Sequence, residues 1–226
     1  MKIKSFGCSF IFGTDLSDDS YNSCYINPSQ LTWPALLAKN FDIDYECFAW
    51  PGSGNLRILE SIMSAANSSD SDDLFIISWS WIDRFDYTTV DDKWQTVLPV
   101  DTSKEADFYY RNLHSQYRDK LTSLIHIRAA VDILNQKKIP FIMTYIDDLI
   151  FETQWHCNDT VKELQKYVSP YMITFNGDTF LNWARKHKFP ISAGSHPLDQ
   201  AHSKAAKHVA SKIMSQAVKS VDNILY

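Results

Sequence analysis

The sequence predicts an α/β fold in three layers, α/β/α, with helices on both faces of a mostly parallel sheet of about five strands. Two observations predict it. Apolar, strand-like runs alternate with segments of helical periodicity along the chain. The strongest run, Leu74 to Trp79, is almost wholly apolar, which is typical of a parallel strand covered on both faces. The 226 residues contain no internal repeat or low-complexity linker, which favours one domain over residues 1–226.

Each element follows from local composition and spacing. The predicted strands are 2–5, 45–50, 74–79, 139–145 and the shorter 171–175. The predicted helices are 34–39, 55–67, 104–137, 161–168, 179–187 and 197–218. The polar residues 14–30 are typical of a loop. Residues 80–103, rich in Trp, Tyr and Asp, form a long excursion that we expect to act as a lid or a substrate wall, since long loops in compact domains are often functional.

Composition and charge narrow the classes of partner. The formal net charge is -5 and the basic residues are mostly scattered, which argues against a nucleic-acid-binding surface. No run approaches the roughly 18 apolar residues of a membrane span, and the first residues enter a strand without a secretory-length apolar stretch. We therefore expect a cytoplasmic protein with no nucleic-acid or membrane partner. The cysteines lack metal-finger spacing, so we expect no metal, and Cys8 and Cys47 are interpreted as buried thiols.

Polar or glycine-containing turns follow three of the predicted strands, at 7–10, 51–55 and 78–80. The carboxyl ends of parallel strands share one edge of a sheet, where ligands bind. A fourth polar cluster, residues 195–197, begins the last predicted helix. A serine, a histidine and N–H groups from other turns suit acyl transfer: the hydroxyl attacks, the imidazole takes its proton and the N–H groups hold the oxyanion.

The predicted position of His196 bears on its protonation. Pro197 fits the first position of a helix, which would make His196 the N-cap. The positive end of a helix disfavours an imidazolium, so we expect His196 to stay neutral and able to accept a proton. The same geometry predicts that Asp199, three residues after the cap, turns back to the helix end.

The order of these turns resembles that of the SGNH hydrolases, also called GDSL-like lipases and esterases. Residues 7–9, Gly-Cys-Ser, match the Gly-Asp-Ser block, with Ser9 as the nucleophile. Gly52 matches the oxyanion glycine, Ser80 stands at the place of the oxyanion asparagine, and His196 matches the histidine of the Asp-x-x-His-Pro block. The resemblance implies a flavodoxin-like sheet and a serine esterase without a cofactor. It also implies a small-molecule or glycan ester as substrate, such as acetyl groups on carbohydrate.

Two departures from the family pattern affect the expected chemistry. Ala193 stands where the family places its triad aspartate, so Ser9 and His196 would form a dyad unless another acid reaches the imidazole. The candidate acids are Asp147, Asp148 and Asp199. Ser80 in place of asparagine leaves a hydroxyl that could still donate to the oxyanion. The expected oxyanion donors are therefore the Ser9 and Gly52 N–H groups, helped by Ser80, and we expect a slow or specialised enzyme.

Three further residues are expected to line the substrate site: Asn55, Trp79 and Trp81. Indole rings suit both sugar faces and apolar tails, although packing in the core is the alternative for either tryptophan. The residues from Asp199 to His202 also match the sequence Asp-x-x-His. His202 lies one turn into the last predicted helix, however, and is interpreted as structural.

Two other functions stay open. A degenerate, non-catalytic SGNH-like domain that binds a glycan or a protein would account for Ala193 and Ser80. Gly52 and Gly54 suggest a nucleotide-binding turn, but Arg57 stands where a third glycine is needed and the turn follows the second strand rather than the first. The Gly-Cys-Ser-Phe spelling resembles that of small virus- and bacterium-encoded members of the superfamily, so a virus-encoded protein is a further expectation.

Overall fold

The computed structural model describes residues 1–18 and 27–222, with side chains described up to residue 213. Its centre is a four-stranded, fully parallel sheet in which the second strand is followed across the sheet by the first, third and sixth. These strands are β1 (Lys2–Phe6), β2 (Asp44–Cys47), β3 (Leu74–Trp79) and β6 (Phe141–Tyr145). Two short strands, β4 (Phe85–Thr88) and β5 (Trp94–Val97), form an antiparallel hairpin outside this sheet.

Eight helices connect the strands in the described part of the chain. They are α1 (Ser9–Phe12), α2 (Trp33–Asn40), α3 (Asn55–Ala66), α4 (Lys104–Asn112), α5 (Gln116–Lys137), α6 (Asp159–Val168), α7 (Phe180–Lys186) and α8 (Asp199–Asp222). One face of the sheet packs against α3, α5 and α6, and the other against α1, α2, α7 and α8. The predicted three-layer α/β/α fold is therefore confirmed.

The middle strand β3 shows why both faces are covered. Phe75 and Ile77 point into the core formed with α3 and α5, whereas Ile76 points into the core formed with α2 and α8. Alternate side chains of a strand leave the sheet on opposite faces, so an apolar run must be buried from both sides. All three side chains are fully buried.

Three predicted elements differ from the observed ones. The helix predicted over 104–137 is two helices, because the Ser115 hydroxyl caps a new helix by accepting the Arg118 N–H. The predicted fifth strand, 171–175, is reduced to one parallel bridge between Met143 and Met172, since a 3₁₀ turn containing Pro170 occupies Ser169–Tyr171. The excursion at 80–103 contains the β4–β5 hairpin.

Part of the loop predicted over 14–30 lies outside the described residues, as does Cys24. Cys8 is a buried free thiol, and Cys47 is a free thiol that is only partly buried. Within residues 1–18 and 27–222, none of the helices combines the length and the apolarity that crossing a membrane requires.

His202 joins two helices on one side of the sheet. It lies on α8, is almost fully buried, and its Nδ1 accepts the Trp33 N–H at the start of α2 at 3.0 Å. Its ring also meets Phe180 edge-on. Burial lowers the pKa of His202 to about 3, since a charged imidazole would lose its hydration there. The geometry therefore fits the structural interpretation of this residue.

We expect His202 to make folding stability depend on pH. The unfolded chain takes up a proton at this residue near pH 6.5 and the folded chain only near pH 3, so the unfolded state binds more protons between these values. The contribution of neutral His202 to the free energy of unfolding is complete above about pH 6.5. It is lost as the pH falls towards 3, at up to ~1.4 kcal/mol per pH unit. Urea unfolding of His202→Asn, which keeps an acceptor for the Trp33 N–H, should show a flatter dependence between about pH 5 and pH 7 than wild type. The exposed His156→Asn is the control, and equal slopes for wild type and His202→Asn would contradict the assignment.

Candidate active site

Ser9 lies at the carboxyl edge of the sheet, at the start of the short helix that follows β1. The turn before it needs glycine, because a Cβ atom on Gly7 would lie 2.7 Å from Ile11 Cγ1 and 3.1 Å from the Ser78 carbonyl oxygen. This close approach packs α1 against the end of β3. The Ser9 side chain is mostly covered, with 7% of the residue exposed.

His196 contacts the Ser9 hydroxyl from the other end of the chain. Its Nε2 lies 2.9 Å from Ser9 Oγ, although the two residues are 187 positions apart. The imidazole packs edge-on against Phe10, the neighbour of Ser9 on α1, with 5.5 Å between ring centroids. The structure thus brings together the two residues that the sequence paired.

Asp15 contacts the far nitrogen of the same imidazole. The Asp15 Oδ2 atom lies 2.7 Å from His196 Nδ1 and also accepts the Ser192 hydroxyl at 2.6 Å. These hydrogen bonds, first from Ser192 and then from His196, lower the pKa of Asp15, against a smaller opposing effect of burial. Asp15 is therefore ionised at neutral pH and able to hold Nδ1 in its protonated form.

Two glycines allow Asp15 to reach the imidazole. Gly13 ends α1 in the left-handed conformation, with φ 88° and its N–H bonded to the Ser9 carbonyl, and turns the chain back. Asp15 itself has φ 70°, a region that Asp adopts more readily than most residues. A Cβ atom on Gly194 would lie 3.1 Å from both Asp15 Oδ2 and His196 Nδ1, so glycine there leaves room for the pair.

The three candidate acids named from the sequence contact other groups, and it is Asp15 that lies at His196 Nδ1. Asp147 accepts hydrogen bonds from the N–H groups of Ile82 and Leu149, each at 3.0 Å. Asp148 accepts the side-chain amide of Asn182. Asp199 accepts the N–H and hydroxyl of Ser17 at 3.1 and 2.5 Å. Sequence reasoning missed Asp15, although Gly13, four residues after the serine, was a signal that the chain turns back towards the site.

The predicted capping role of His196 is also wrong. The last helix begins at Asp199, and Pro197 forms an isolated antiparallel bridge with Ile191 instead of a first helical turn. The argument from a helix end therefore does not apply to His196. A carboxylate at Nδ1 favours the tautomer with the proton on that nitrogen, which leaves Nε2 free to accept the proton of Ser9.

Two of the three expected oxyanion donors, the Ser9 and Gly52 N–H groups, stay candidates for that role. Within the described residues, the backbone N–H groups of Ser9 and Gly52 donate to no protein acceptor. The space above Gly52 is open, since a Cβ atom there would meet nothing within 4 Å. The Ser80 N–H donates to Asn55 Oδ1 at 2.8 Å. The Ser80 hydroxyl, which was the expected donor, is fully buried and has no hydrogen-bond partner among the described residues, so its role at an oxyanion stays a prediction.

Of the three residues expected to line a substrate site, Trp79 and Asn55 take internal positions, and the role of Trp81 stays a prediction. Trp79 is fully buried in the core with α3 and α5, so the alternative of core packing holds for it. Trp81 is partly buried against the opposite core. The Asn55 amide is buried and donates to Ser123 Oγ at 3.0 Å. Asn55 borders a cavity of about 200 Å³ under the β4–β5 hairpin, but Ser9 and His196 are not in the lining of that cavity.

Asp86 of the hairpin fixes the turn that carries Gly52. Its Oδ1 accepts the Gly54 N–H and its Oδ2 the Arg57 N–H, both at 2.9 Å, and Thr96 donates a third hydrogen bond at 2.6 Å. Arg84 Nη1 adds a bond to the Ser53 carbonyl at 3.1 Å. These contacts bind the base of the excursion to the turn, which favours a fixed wall over a moving lid.

We expect Asp86→Ala to destabilise the fold by about 1–3 kcal/mol, because it leaves buried N–H groups at the start of α3 without an acceptor. Urea unfolding measures the change. Asp91→Ala, in the exposed turn of the same hairpin, is the matched control and should stay within about 0.5 kcal/mol of wild type. A loss no larger than that of the control would show that Asp86 does not fix the turn.

The site is therefore a serine, a histidine and an aspartate joined by hydrogen bonds at the carboxyl edge of a parallel α/β sheet, as in a serine hydrolase. No protein-family model matches the chain, and no curated protein matches it.

Solved structures match over nearly the whole chain. A member of the lipolytic G-D-S-L family from Veillonella parvula has a TM-score of 0.52 at 14% identity, covering 93% of this chain and 97% of that one. The psychrotrophic esterase EstA from Pseudoalteromonas sp., inhibited by monoethylphosphonate, has a TM-score of 0.55 at 10% identity, with 96% and 98% covered. The acetyl xylan esterase Est2A from Butyrivibrio proteoclasticus has a TM-score of 0.53 at 13% identity, with 96% and 64% covered. The chain has the fold of the SGNH, or GDSL, hydrolases.

Proposed function

We propose that this protein is a serine esterase that cleaves a small ester through an acyl-enzyme on Ser9. The observation that carries the proposal is the hydrogen-bonded series from Ser9 Oγ through the His196 imidazole to Asp15. Proton transfer needs such hydrogen-bond contact between nucleophile and base, and a carboxylate that orients the base makes the transfer faster. The fold, shared with solved esterases, supports the same reaction class.

In the first half of the reaction, Ser9 Oγ attacks the acyl carbon while His196 Nε2 takes the hydroxyl proton. The carbonyl oxygen becomes an oxyanion, for which the Ser9 and Gly52 N–H groups are the donors. Asp15 keeps the imidazole in orientation and stabilises its charged form. When the tetrahedral intermediate collapses, the bond to the leaving oxygen breaks and His196 gives that oxygen its proton.

In the second half, water takes the place of the alcohol. His196 removes a proton from water as its oxygen attacks the acyl carbon, and the bond between Ser9 Oγ and the acyl group then breaks. The proton returns to Ser9, and the carboxylic acid leaves. These steps use side chains and backbone N–H groups of this chain and call for no cofactor.

The substrate class we propose is a small ester, with acetyl groups on carbohydrate as the first choice. The support is indirect. One structure with the same fold is an acetyl xylan esterase and another is an esterase inhibited by a small phosphonate. The open space above Gly52 is compatible with a substrate that reaches Ser9 from the surface.

We expect Ser9→Ala to lower kcat on short p-nitrophenyl esters by roughly 10⁴- to 10⁶-fold, because no other group takes over the attack. Steady-state hydrolysis assays measure this, with a thermal melt to show that the variant folds. Hydrolysis by Ser9→Ala at the wild-type rate would refute the esterase proposal.

Asp15→Asn should lower kcat on the order of 10²- to 10⁴-fold with little change in KM, because the amide cannot hold the imidazole in the required tautomer and charge state. Asp42→Asn is the matched control. Asp42 is also an exposed aspartate with positive φ, but it precedes β2 and so lies at the opposite edge of the sheet from the site. If both variants kept wild-type kcat, Asp15 would have no catalytic role.

A binding function without catalysis is the second candidate. The observation that favours it is the full burial of Ser80, which stands at the place of the family's oxyanion asparagine. A fluorophosphonate probe separates the two functions, because it reacts only with an activated serine. Labelling of wild type that is absent in Ser9→Ala supports the esterase, whereas no labelling of a folded wild type together with glycan or protein binding supports the binding module.

A further inference from the structure

Trp50 is an exposed aromatic residue held between the two turns that build the candidate site. It is 45% exposed, although indole rings of this size are mostly covered in folded proteins. Its N–H donates to the Gly7 carbonyl at 3.1 Å, and its carbonyl accepts the Ser53 N–H at 3.2 Å. The backbone of Trp50 is thus bonded to the turn before Ser9 and to the turn that contains Gly52.

The Trp50 ring is also fixed in orientation. Phe12, the last residue of the helix that starts at Ser9, meets it edge-on with 6.2 Å between centroids. The Arg57 guanidinium lies over the ring at 5.3 Å from the centroid. A flat ring that is already ordered loses little conformational entropy when a ligand stacks on it.

Two guanidinium groups place hydrogen-bond donors near this part of the chain, one at the Trp50 ring and one at the Gly52 turn. Arg57 lies over the ring, and Arg84 is anchored to the Ser53 carbonyl beside the Gly52 turn. Within the described residues, no carboxylate lies within 4.0 Å of either guanidinium. The nearby Asp86 carboxylate accepts hydrogen bonds from backbone N–H groups and from the Thr96 hydroxyl instead. Donors of both arginines therefore stay available to oxygen atoms of a ligand.

We propose that Trp50 is the platform on which the alcohol part of the substrate binds, and that this part is a pyranose ring. The proposal rests on the proposed esterase function and names the substrate class. A pyranose has an apolar C–H face that stacks on an indole and equatorial hydroxyls that accept hydrogen bonds from guanidinium groups. A plain alkyl chain would use the ring but none of these donors.

The test compares one ester with a sugar ring and one without. An acetylated methyl xyloside and ethyl acetate are hydrolysed by wild type, Trp50→Ala, Trp50→Phe and Phe41→Ala, and the released acid is measured by pH titration. We expect Trp50→Ala to lower the ratio of kcat/KM for the xyloside to that for ethyl acetate about 10-fold, mainly through KM, and Trp50→Phe to restore much of it. Phe41→Ala is the control, since Phe41 is similarly exposed at 38% but lies at the opposite edge of the sheet.

The outcomes separate this proposal from the esterase function itself. If wild type cleaves the xyloside and Trp50→Ala leaves the ratio unchanged, the platform is refuted and the esterase stands. If wild type cleaves neither ester, the esterase fails, and calorimetric titration with the acetylated xyloside decides on the platform. Binding by wild type that Trp50→Ala loses would support the platform, and equal binding by both or by neither would overturn it.

Discussion

The candidate site depends on one imidazole held from both sides. His196 lies in hydrogen-bond contact with Ser9 through Nε2 and with Asp15 through Nδ1. Both partners come from the segment 7–15, so a single short helix and its terminating turn set the distance between nucleophile and acid. His196 itself belongs to the loop 192–196. In this loop the Ser192 hydroxyl donates a hydrogen bond to the Asp15 carboxylate, and Gly194 leaves space for that carboxylate. Relative motion of these two segments would break both contacts at once.

The position of the acid shows that geometry, and not order along the chain, defines such a site. SGNH hydrolases are expected to carry the aspartate three residues before the histidine, where this chain has Ala193. Here a carboxylate reaches the same nitrogen from the loop after α1. An orienting acid has to hold one tautomer and stabilise a charged imidazole, and any ionised carboxylate at hydrogen-bond distance can do both. Asp15 meets this condition because its hydrogen bonds lower its pKa.

Local patterns predicted most of the fold and part of the site. Strand β3 was predicted with its observed bounds, because a strand buried on both faces is apolar throughout. Ser9 and His196 could be paired because each follows a recognisable turn. Asp15 could not be found from spacing, since its contact with His196 depends on a left-handed turn at Gly13 and on a loop at the far end of the chain. The prediction that His196 caps the last helix was wrong for a related reason. Proline suits both the start of a helix and a bridge within a loop, and only tertiary contacts decide between them.

The sizes of two contributions to transition-state stabilisation bear on whether the protein is a slow enzyme or an inactive relative. An oxyanion donor lost at the Ser80 position would cost roughly 3 kcal/mol of transition-state stabilisation. Loss of the orienting acid would cost about 5 kcal/mol, the equivalent of a 10⁴-fold lower rate. In the proposed mechanism the second loss is avoided, because the Asp15 carboxylate contacts His196 Nδ1 although Ala193 stands at the family position of the acid. The larger of the two terms is kept, and one of the two candidate backbone donors, the Gly52 N–H, lies on the turn that Asp86 fixes in place. On this balance the arrangement favours a working but slow esterase over a relic.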